Sequence, residues 1–193
     1  METIGIFGGS FNPVHIGHMI VASYLTQWNF VDKVWLNLSP QNPFKDGDSL
    51  IPDIKRLAML KIACQDVPDV QICDIELSMP RPSYTINTLR LLSKRYPKKK
   101  FKLVIGADNW NAFDKWRDHE EILDEFGVLV YPRPGKQIQN RYVDGMDVVN
   151  SPSIDISSTF IRNAIAKGRD VRCFLPPGVY QYIIENNLYQ TPS

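Results

Sequence analysis

The chain has 193 residues, of which 44% are hydrophobic and 22% are charged, and its formal net charge is +1. These values are typical of one globular domain and argue against nucleic-acid binding through a broadly basic surface. No apolar run approaches the roughly 20 residues of a membrane span. A strand predicted to start at residue 3 leaves no room for a signal peptide. We therefore expect a cytoplasmic protein that binds neither nucleic acid nor a membrane.

Short apolar segments, several rich in β-branched residues, alternate along the chain with segments of helical periodicity. The predicted strands are residues 4–7, 34–38, 70–73, 103–105 and 128–131. A helix follows the first strand, and further helices are predicted at residues 54–64, 85–96 and 120–126. This alternation predicts an α/β fold with a Rossmann-like, doubly wound and mainly parallel sheet covered on both faces.

The pattern becomes wholly helical from residue 157 onward, with helices predicted at residues 158–167 and 179–186. We therefore expect a single domain over residues 1–193. It would comprise a Rossmann-like core over residues 1–156 and a small C-terminal helical extension over residues 157–193.

The helix after the first strand is predicted because Val21, Leu25 and Trp28 recur at the spacing of one helical face. The three lysines at residues 98–100 follow a proline and lead into a strand, which is typical of a solvated loop. The cysteines at positions 64, 73 and 173 form no C-x-x-C pair. We expect them to be reduced thiols in the core rather than zinc ligands or disulfides.

The stretch GGSFNPVHIGH follows the first strand and contains the strongest functional signal. Gly8 and Gly9 allow the backbone to turn sharply, and the start of a helix favours an anion. His15 and His18 are three residues apart, so both can direct a nitrogen at one group. The H-E-x-x-H metal pattern and a usable G-x-G-x-x-G fingerprint are both absent, so a phosphate partner fits better than a protein-bound metal or a hydride-transfer cofactor.

A second candidate phosphate site lies in the segment ISSTFIR. Ser157, Ser158 and Thr159 are candidate helix caps, and Arg162 falls in the first turn. A cation at the positive end of a helix is unfavourable unless an anion also binds there. The alternative is a simple ion pair between Asp155 and Arg162.

Both segments resemble motifs of the nucleotidylyltransferase superfamily, G-G-[ST]-F-D-P-x-H-x-G-H and I-S-S-T-x-I-R, with Asn12 replacing the usual aspartate. The resemblance implies transfer of a nucleotidyl group from ATP, with His15, His18 and Arg162 as catalytic residues. The residues that it implies for ATP binding are Gly8, Gly9, Ser10, Phe11, His15, His18, Gly106, Asp108, Arg133, Ser157, Ser158, Thr159 and Arg162.

Further segments resemble the bacterial nicotinate mononucleotide adenylyltransferase family over nearly the whole chain. They are SPQNPFK, RPSYTINTL, VIGADNWNAFDKW, YPRPG and FLPPGVYQYIIENNLY. The resemblance implies that nicotinate mononucleotide is the acceptor. Lys45 would bind its phosphate, Thr85 its carboxylate, and Trp116 would stack on its ring. Phe44 replaces the histidine that this family usually has before the basic residue.

The implied reaction is direct in-line attack on the α-phosphorus of ATP, with Mg²⁺ accompanying the triphosphate and no dedicated protein metal site. Transfer to phosphopantetheine or nicotinamide mononucleotide would share the phosphate motifs, and a non-catalytic nucleotide sensor is a further alternative. The polar loop at residues 39–49 could close over substrate. The sequence leaves open whether the protein is a homo-oligomer.

Overall fold

A computed structural model of the chain describes residues 1–40, 50–139 and 143–190. The strands are β1 (Glu2–Gly9), β2 (Lys33–Leu38), β3 (Val70–Cys73), β4 (Lys99–Gly106), β5 (Val128–Tyr131) and β6 (Met146–Val148). The helices are α1 (Ile16–Gln27), α2 (Asp53–Cys64), α3 (Thr85–Arg95), α4 (Ala107–Trp110), α5 (His119–Glu125), α6 (Ser158–Ala166) and α7 (Val179–Glu185). All five predicted strands are present, so the α/β prediction is confirmed. No helix in these ranges is long and apolar enough to cross a membrane.

The six strands form one parallel sheet in the order β3-β2-β1-β4-β5-β6. The first half of the chain builds the sheet outward from β1 to β3, and the second half returns to β4 and builds outward on the other side of β1. Phe7 of β1 pairs with Val104 of β4. In such sheets the strand order reverses at this point, and ligands bind beyond the carboxyl ends of the two strands.

The two faces of the sheet are covered by different helices, because alternate strand residues point to opposite faces. One core packs α1, α2, α6 and α7 against side chains that include Phe7 and Leu36. The other packs α3 and α5 against side chains that include Ile6 and Leu103. The doubly wound arrangement predicted from the alternation of strands and helices is therefore confirmed.

Several local predictions were wrong. Lys99 and Lys100 belong to β4, so the lysine run is largely strand and only Lys98 precedes it. Trp28 is 61% exposed and stacks on Tyr24, with ring centroids 4.4 Å apart. It lies beyond the last residue of α1, where the helical spacing no longer determines which face a side chain occupies.

The cysteines are free thiols, as expected, but they are not all buried. Cys73 is buried and Cys64 is half-buried, whereas Cys173 is exposed. Burial raises the pKa of both the Cys64 and Cys73 thiols to about 11, so they stay protonated at neutral pH. The prediction of a core position was therefore wrong for Cys173.

Candidate active site

Two cavities lie at the carboxyl ends of the central strands, one on each face of the sheet. The larger has a volume of about 820 Å³, and its lining includes Ile6 and Thr85. The smaller has a volume of about 20 Å³, and its lining includes Phe7, His15 and His18. Neighbouring strand residues point to opposite faces, so Ile6 and Phe7 place the two cavities on opposite sides of β1.

The two predicted catalytic histidines stack on each other at the start of α1. His15 is the N-cap residue with an extended backbone, and Ile16 begins the helix. The ring centroids lie 3.7 Å apart with 28° between the planes, and the His15 backbone N–H donates to His18 Nδ1 at 3.2 Å. Phe7 and Phe11 pack edge-on against His18. These contacts hold both imidazoles together over the first turn of the helix.

His15 is uncharged at neutral pH. It is only 3% exposed, and its burial, followed by the positive charge of Arg133, lowers the pKa of His15 from 6.5 to about 3. A neutral ring can stack closely on His18, whereas two charged imidazoles would repel each other. Nδ1 of His15 is buried and has no hydrogen-bond partner among the described residues. Such an atom needs an explanation, and a ligand contact is one.

The loop between β1 and α1 is held by side chains from the helical C-terminal part of the chain. The Ser158 hydroxyl donates to the Pro13 carbonyl at 2.9 Å, and Arg162 donates to the Asn12 carbonyl at 2.9 Å. The Tyr189 hydroxyl donates to Asn12 Oδ1 at 2.8 Å. An amide oxygen and a carboxylate oxygen can both accept that bond. The asparagine that replaces the usual aspartate therefore keeps this contact.

The helix α6 begins where the capping residues predict. Ser157 is its N-cap, and its Oγ accepts from the Phe160 backbone N–H at 3.1 Å. Arg162 reaches back to Thr159 Oγ1 at 3.4 Å. Its bonds to Thr159 and to the loop occupy only part of a guanidinium with five N–H donors. Among the residues that the structure describes, Arg162 therefore keeps donors for an anion, rather than serving only as a partner for Asp155.

Gly106, Asp108 and Arg133 meet beyond the ends of β4 and β5. Arg133 Nε lies 3.5 Å from Asp108 Oδ1, and the guanidinium lies 5.4 Å from the centre of the Tyr131 ring. A Cβ atom added to Gly106 would lie 2.6 Å from Asp108 Oδ1 and 3.0 Å from Arg133 Nε. A side chain at position 106 would therefore require the Asp108 and Arg133 side chains to shift.

Gly8, Gly9 and Ser10 line the larger cavity, whereas Phe11 does not reach either cavity. Phe11 is 1% exposed, and its backbone has a φ of +44°. A Cβ atom added to Gly9 would lie 3.0 Å from the Phe11 ring. The Phe11 side chain thus supports the turn from the core, and the structure does not place Phe11 with the predicted ATP-binding residues that line a cavity.

The larger cavity contains the predicted acceptor-binding residues Thr85 and Trp116. Tyr84 is the N-cap of α3 and Thr85 begins the helix, where the first backbone N–H groups have no partner within the helix. Trp116 packs on Phe113 with ring centroids 5.4 Å apart, and Arg117 lies 4.7 Å from the centre of the Tyr84 ring. Lys45 and Phe44 lie outside the described residues, as does most of the loop that was expected to close.

Comparison with known proteins assigns the family. A family model described as cytidylyltransferase-like matches residues 6–164, which include the histidine pair and Arg162. A relative from Bacteroides fragilis, named "Probable nicotinate-nucleotide adenylyltransferase", is 47% identical over 94% of this chain and 90% of its own. The chain belongs to the nicotinate-nucleotide adenylyltransferase family.

Other members of this family agree in sequence and in fold. A relative of the same name from Flavobacterium johnsoniae is 38% identical over 97% of this chain and 98% of its own. The solved nicotinic acid mononucleotide adenylyltransferase of Plasmodium falciparum, complexed with NaAD, covers 98% of both chains with a TM-score of 0.81. Its sequence identity is 22%, so this last similarity confirms the fold. The resemblance identified from the motifs is therefore confirmed.

Several polar residues of the larger cavity were missed in the sequence analysis. They are Asn37, Ser39, Glu76, Ser83, Asn109, Lys115 and Arg117. The sequence does mark Asn37 and Glu76, because each is a polar residue within an apolar segment. Such a segment is expected to be buried, and polar side chains are rarely buried without a reason. The others lie in polar surroundings, where nothing distinguishes them from ordinary loop residues.

The described parts of the chain contain no group of three or more His, Cys, Asp or Glu side chains arranged to hold a metal ion. Enzymes of this family generally use a divalent metal together with ATP. The oxygen and nitrogen donors near the histidine pair are hydroxyls, imidazoles and guanidinium groups. Such groups suit phosphate oxygens better than they suit Mg²⁺ directly.

Proposed function

We propose that this protein transfers the adenylyl group of ATP to nicotinate mononucleotide, giving nicotinate adenine dinucleotide and pyrophosphate for NAD biosynthesis. A phosphate oxygen of the mononucleotide attacks the α-phosphorus in line. The bond from that phosphorus to the oxygen that bridges to the β-phosphate breaks, and pyrophosphate leaves. The observation that carries the proposal is the pair of cavities on opposite faces of β1, one with the histidine pair and the other with Thr85 and Trp116.

On the ATP side, the protein contributes alignment and hydrogen bonds to phosphate oxygens, which supply most of the catalysis in phosphoryl transfer. The imidazoles of His15 and His18 are proposed to contact the α-phosphate and the leaving phosphates. Arg162 then offsets the charge of the departing pyrophosphate, together with the backbone and hydroxyl groups of Ser157, Ser158 and Thr159. The donors that Arg162 retains at the start of α6 support this role.

The adenosine part of ATP is proposed to bind next to the Asp108 and Arg133 side chains, with Asp108 accepting from a ribose hydroxyl. The cavity on this face has a volume of about 20 Å³, which is room for about one water molecule. A nucleotide therefore enters only if side chains at its rim move. Arg133 lines this cavity and is partly exposed, so its side chain is proposed to move.

On the acceptor side, the carboxylate of nicotinate mononucleotide is proposed to bind at the start of α3, where Thr85 offers its hydroxyl and backbone N–H. An unpartnered helix N-terminus favours an anion, so it favours a carboxylate over a neutral amide. Trp116 stacks on the cationic pyridine ring, an arrangement that the charge distribution of an indole ring favours. Lys45 is proposed to bind the acceptor phosphate.

Mg²⁺ is proposed to enter as the complex with ATP, bound mainly by phosphate oxygens and water, and to neutralise part of the triphosphate charge.

We further propose that the enzyme is cytoplasmic and that residues 1–193 act as one domain. Sedimentation of the purified protein measures whether it acts as a monomer or as a homo-oligomer.

The test is pyrophosphate release by the purified protein with Mg-ATP and one acceptor at a time. Nicotinate mononucleotide should support turnover strongly, and nicotinamide mononucleotide and phosphopantetheine weakly. His18→Ala should reduce turnover by roughly 10²–10³-fold while the protein stays folded, because one stabilising donor is lost.

Other outcomes would each reject part of the proposal. Preferential turnover of another acceptor would retain nucleotidyl transfer and reject the roles given to Thr85 and Trp116. ATP binding without turnover of any acceptor would favour a nucleotide sensor. A His18→Ala variant with the wild-type rate would reject the role of the histidine pair.

A further inference from the structure

Glu76 is a buried carboxylate on the wall of the larger cavity, and the mechanism proposed above does not use it. It lies in a short 3₁₀ turn, Ile75–Ser78, directly after β3, and it is 6% exposed. A buried carboxylate is strongly unfavourable unless hydrogen bonds or an opposite charge compensate it. Among the described ion pairs none includes Glu76. Its compensation therefore comes from hydrogen bonds to neutral groups.

The carboxylate accepts four hydrogen bonds from four positions in the chain. Oε1 accepts from Asn37 Nδ2 at 2.6 Å and from the Thr88 hydroxyl at 3.0 Å. Oε2 accepts from the Ser39 hydroxyl at 2.9 Å and from the Ser83 hydroxyl at 3.0 Å. All four donors line the same cavity. Hydrogen bonds to an ionised acceptor are stronger than bonds between neutral groups, so this cluster holds the cavity wall firmly.

The four donors come from the two sides of the acceptor pocket. Asn37 and Ser39 lie at the end of β2, next to the end of β1, and the Ser39 backbone N–H donates to the Gly9 carbonyl at 2.9 Å. Ser83 and Thr88 flank the start of α3, where the carboxylate of the acceptor is proposed to bind. Glu76 therefore connects two parts of the pocket. One is the ends of β1 and β2, near which the phosphates are proposed to bind, and the other is the start of α3, which is proposed to bind the carboxylate of the acceptor.

The Ser39 position is fixed a second time through its backbone. The fully buried Arg56 donates from Nη1 to the Ser39 carbonyl at 2.9 Å and to the Ser10 carbonyl at 2.6 Å. Arg56 thus ties the loop after β1 to the loop after β2. The end of β2, which Glu76 connects to α3 through Ser39, is thereby linked to the loop after β1, which contains the predicted phosphate contacts.

We propose that Glu76 is a positioning residue for the acceptor nucleotide. It acts through its hydrogen-bond partners, which set the distance between the start of α3 and the ends of β1 and β2. That distance must match the span from the carboxylate of the acceptor to its attacking phosphate. The inference rests on the proposed function, because it assumes that this cavity holds the acceptor.

The test is Glu76→Gln, which keeps the size of the side chain but replaces one accepting oxygen with a donating NH₂ group. The KM for nicotinate mononucleotide should rise by about tenfold, equivalent to about 1.4 kcal/mol of binding. The KM for ATP should rise by no more than about threefold, because the histidine pair lies on the other face and Glu76 reaches the glycine turn after β1 only through Ser39. Glu125→Gln is the matched control, since Glu125 accepts from Arg90 on the surface, and it should leave both constants unchanged.

A purely structural role would lower the unfolding midpoint and the active fraction but leave the acceptor KM of the folded enzyme unchanged. That result, or an equal rise in both KM values, would overturn the inference. If Glu76→Gln does not fold, Thr88→Val is the second variant, because it removes one of the four donors with little change of shape. The KM values for nicotinate mononucleotide and for ATP are then compared in this variant in the same way. A wild-type enzyme that turns over no nicotinate mononucleotide would instead reject the proposed function.

Discussion

Acidification should destabilise this protein through His15, because its imidazole is buried uncharged and must take up a proton once the chain unfolds. The pKa of His15 is lowered from 6.5 to about 3, first by burial and then by the charge of Arg133. Between these two values the unfolded chain binds more protons than the folded protein, so the free energy of unfolding falls as the pH falls. From about pH 7 to about pH 5 the loss from this group is about 2 kcal/mol.

The assay is urea unfolding at about pH 7, 6 and 5, for the wild type and for His15→Asn, which cannot take up this proton. The variant loses packing at every pH, so the informative quantity is the change in unfolding free energy with pH within each protein. Carboxylates titrate in the same range, and they contribute equally to both proteins. The wild type should lose about 2 kcal/mol more than the variant. An equal loss in the two proteins would refute the argument.

Two further predictions concern the ATP side. Arg162→Ala should raise the KM for ATP by at least about tenfold, because a charge-assisted hydrogen bond to phosphate is lost. The control is Arg90→Ala, which removes a surface arginine bonded to two glutamates and should leave the KM for ATP unchanged. Equal KM values for ATP in the two variants would count against the role of Arg162. Gly106→Ala should weaken ATP binding, because its Cβ would lie 2.6 Å from Asp108 Oδ1 and separate Asp108 from Arg133. Calorimetric titration with ATP checks this, and an unchanged Kd would show that the ion pair does not matter for the nucleotide.

The fold could be predicted from the sequence where apolar runs were long enough to show a period. The strands β1, β2, β3, β4 and β5 contain such runs, and helices of regular amphipathic pattern separate them. The strand β6 was missed because Met146–Val148 has three residues, too few for alternation to be visible. The short helix α4 was missed for the same reason.

The site was predictable only in the parts that lie within a continuous motif. His15 and His18 are three residues apart, and Ser157 and Arg162 lie within a single short segment. Glu76 could not be connected to its partners, because its bonds to Ser39 and Asn37 span 37 and 39 residues. Contacts at such distances depend on which strands become neighbours, and a single sequence does not show this directly.

The loop after β1 is supported in part by side chains that lie far along the chain. The donors to its Pro13 and Asn12 carbonyls lie 145 and 150 residues further on, and the Tyr189 hydroxyl that binds the Asn12 side chain lies 177 residues away. All six strands precede these three donors in the chain, so the sheet can form before these contacts to the loop exist. A chain that stops before α6 therefore has the strands of the sheet and the contacts of Arg56 and Ser39 to this loop, but it lacks the three contacts to Asn12 and Pro13.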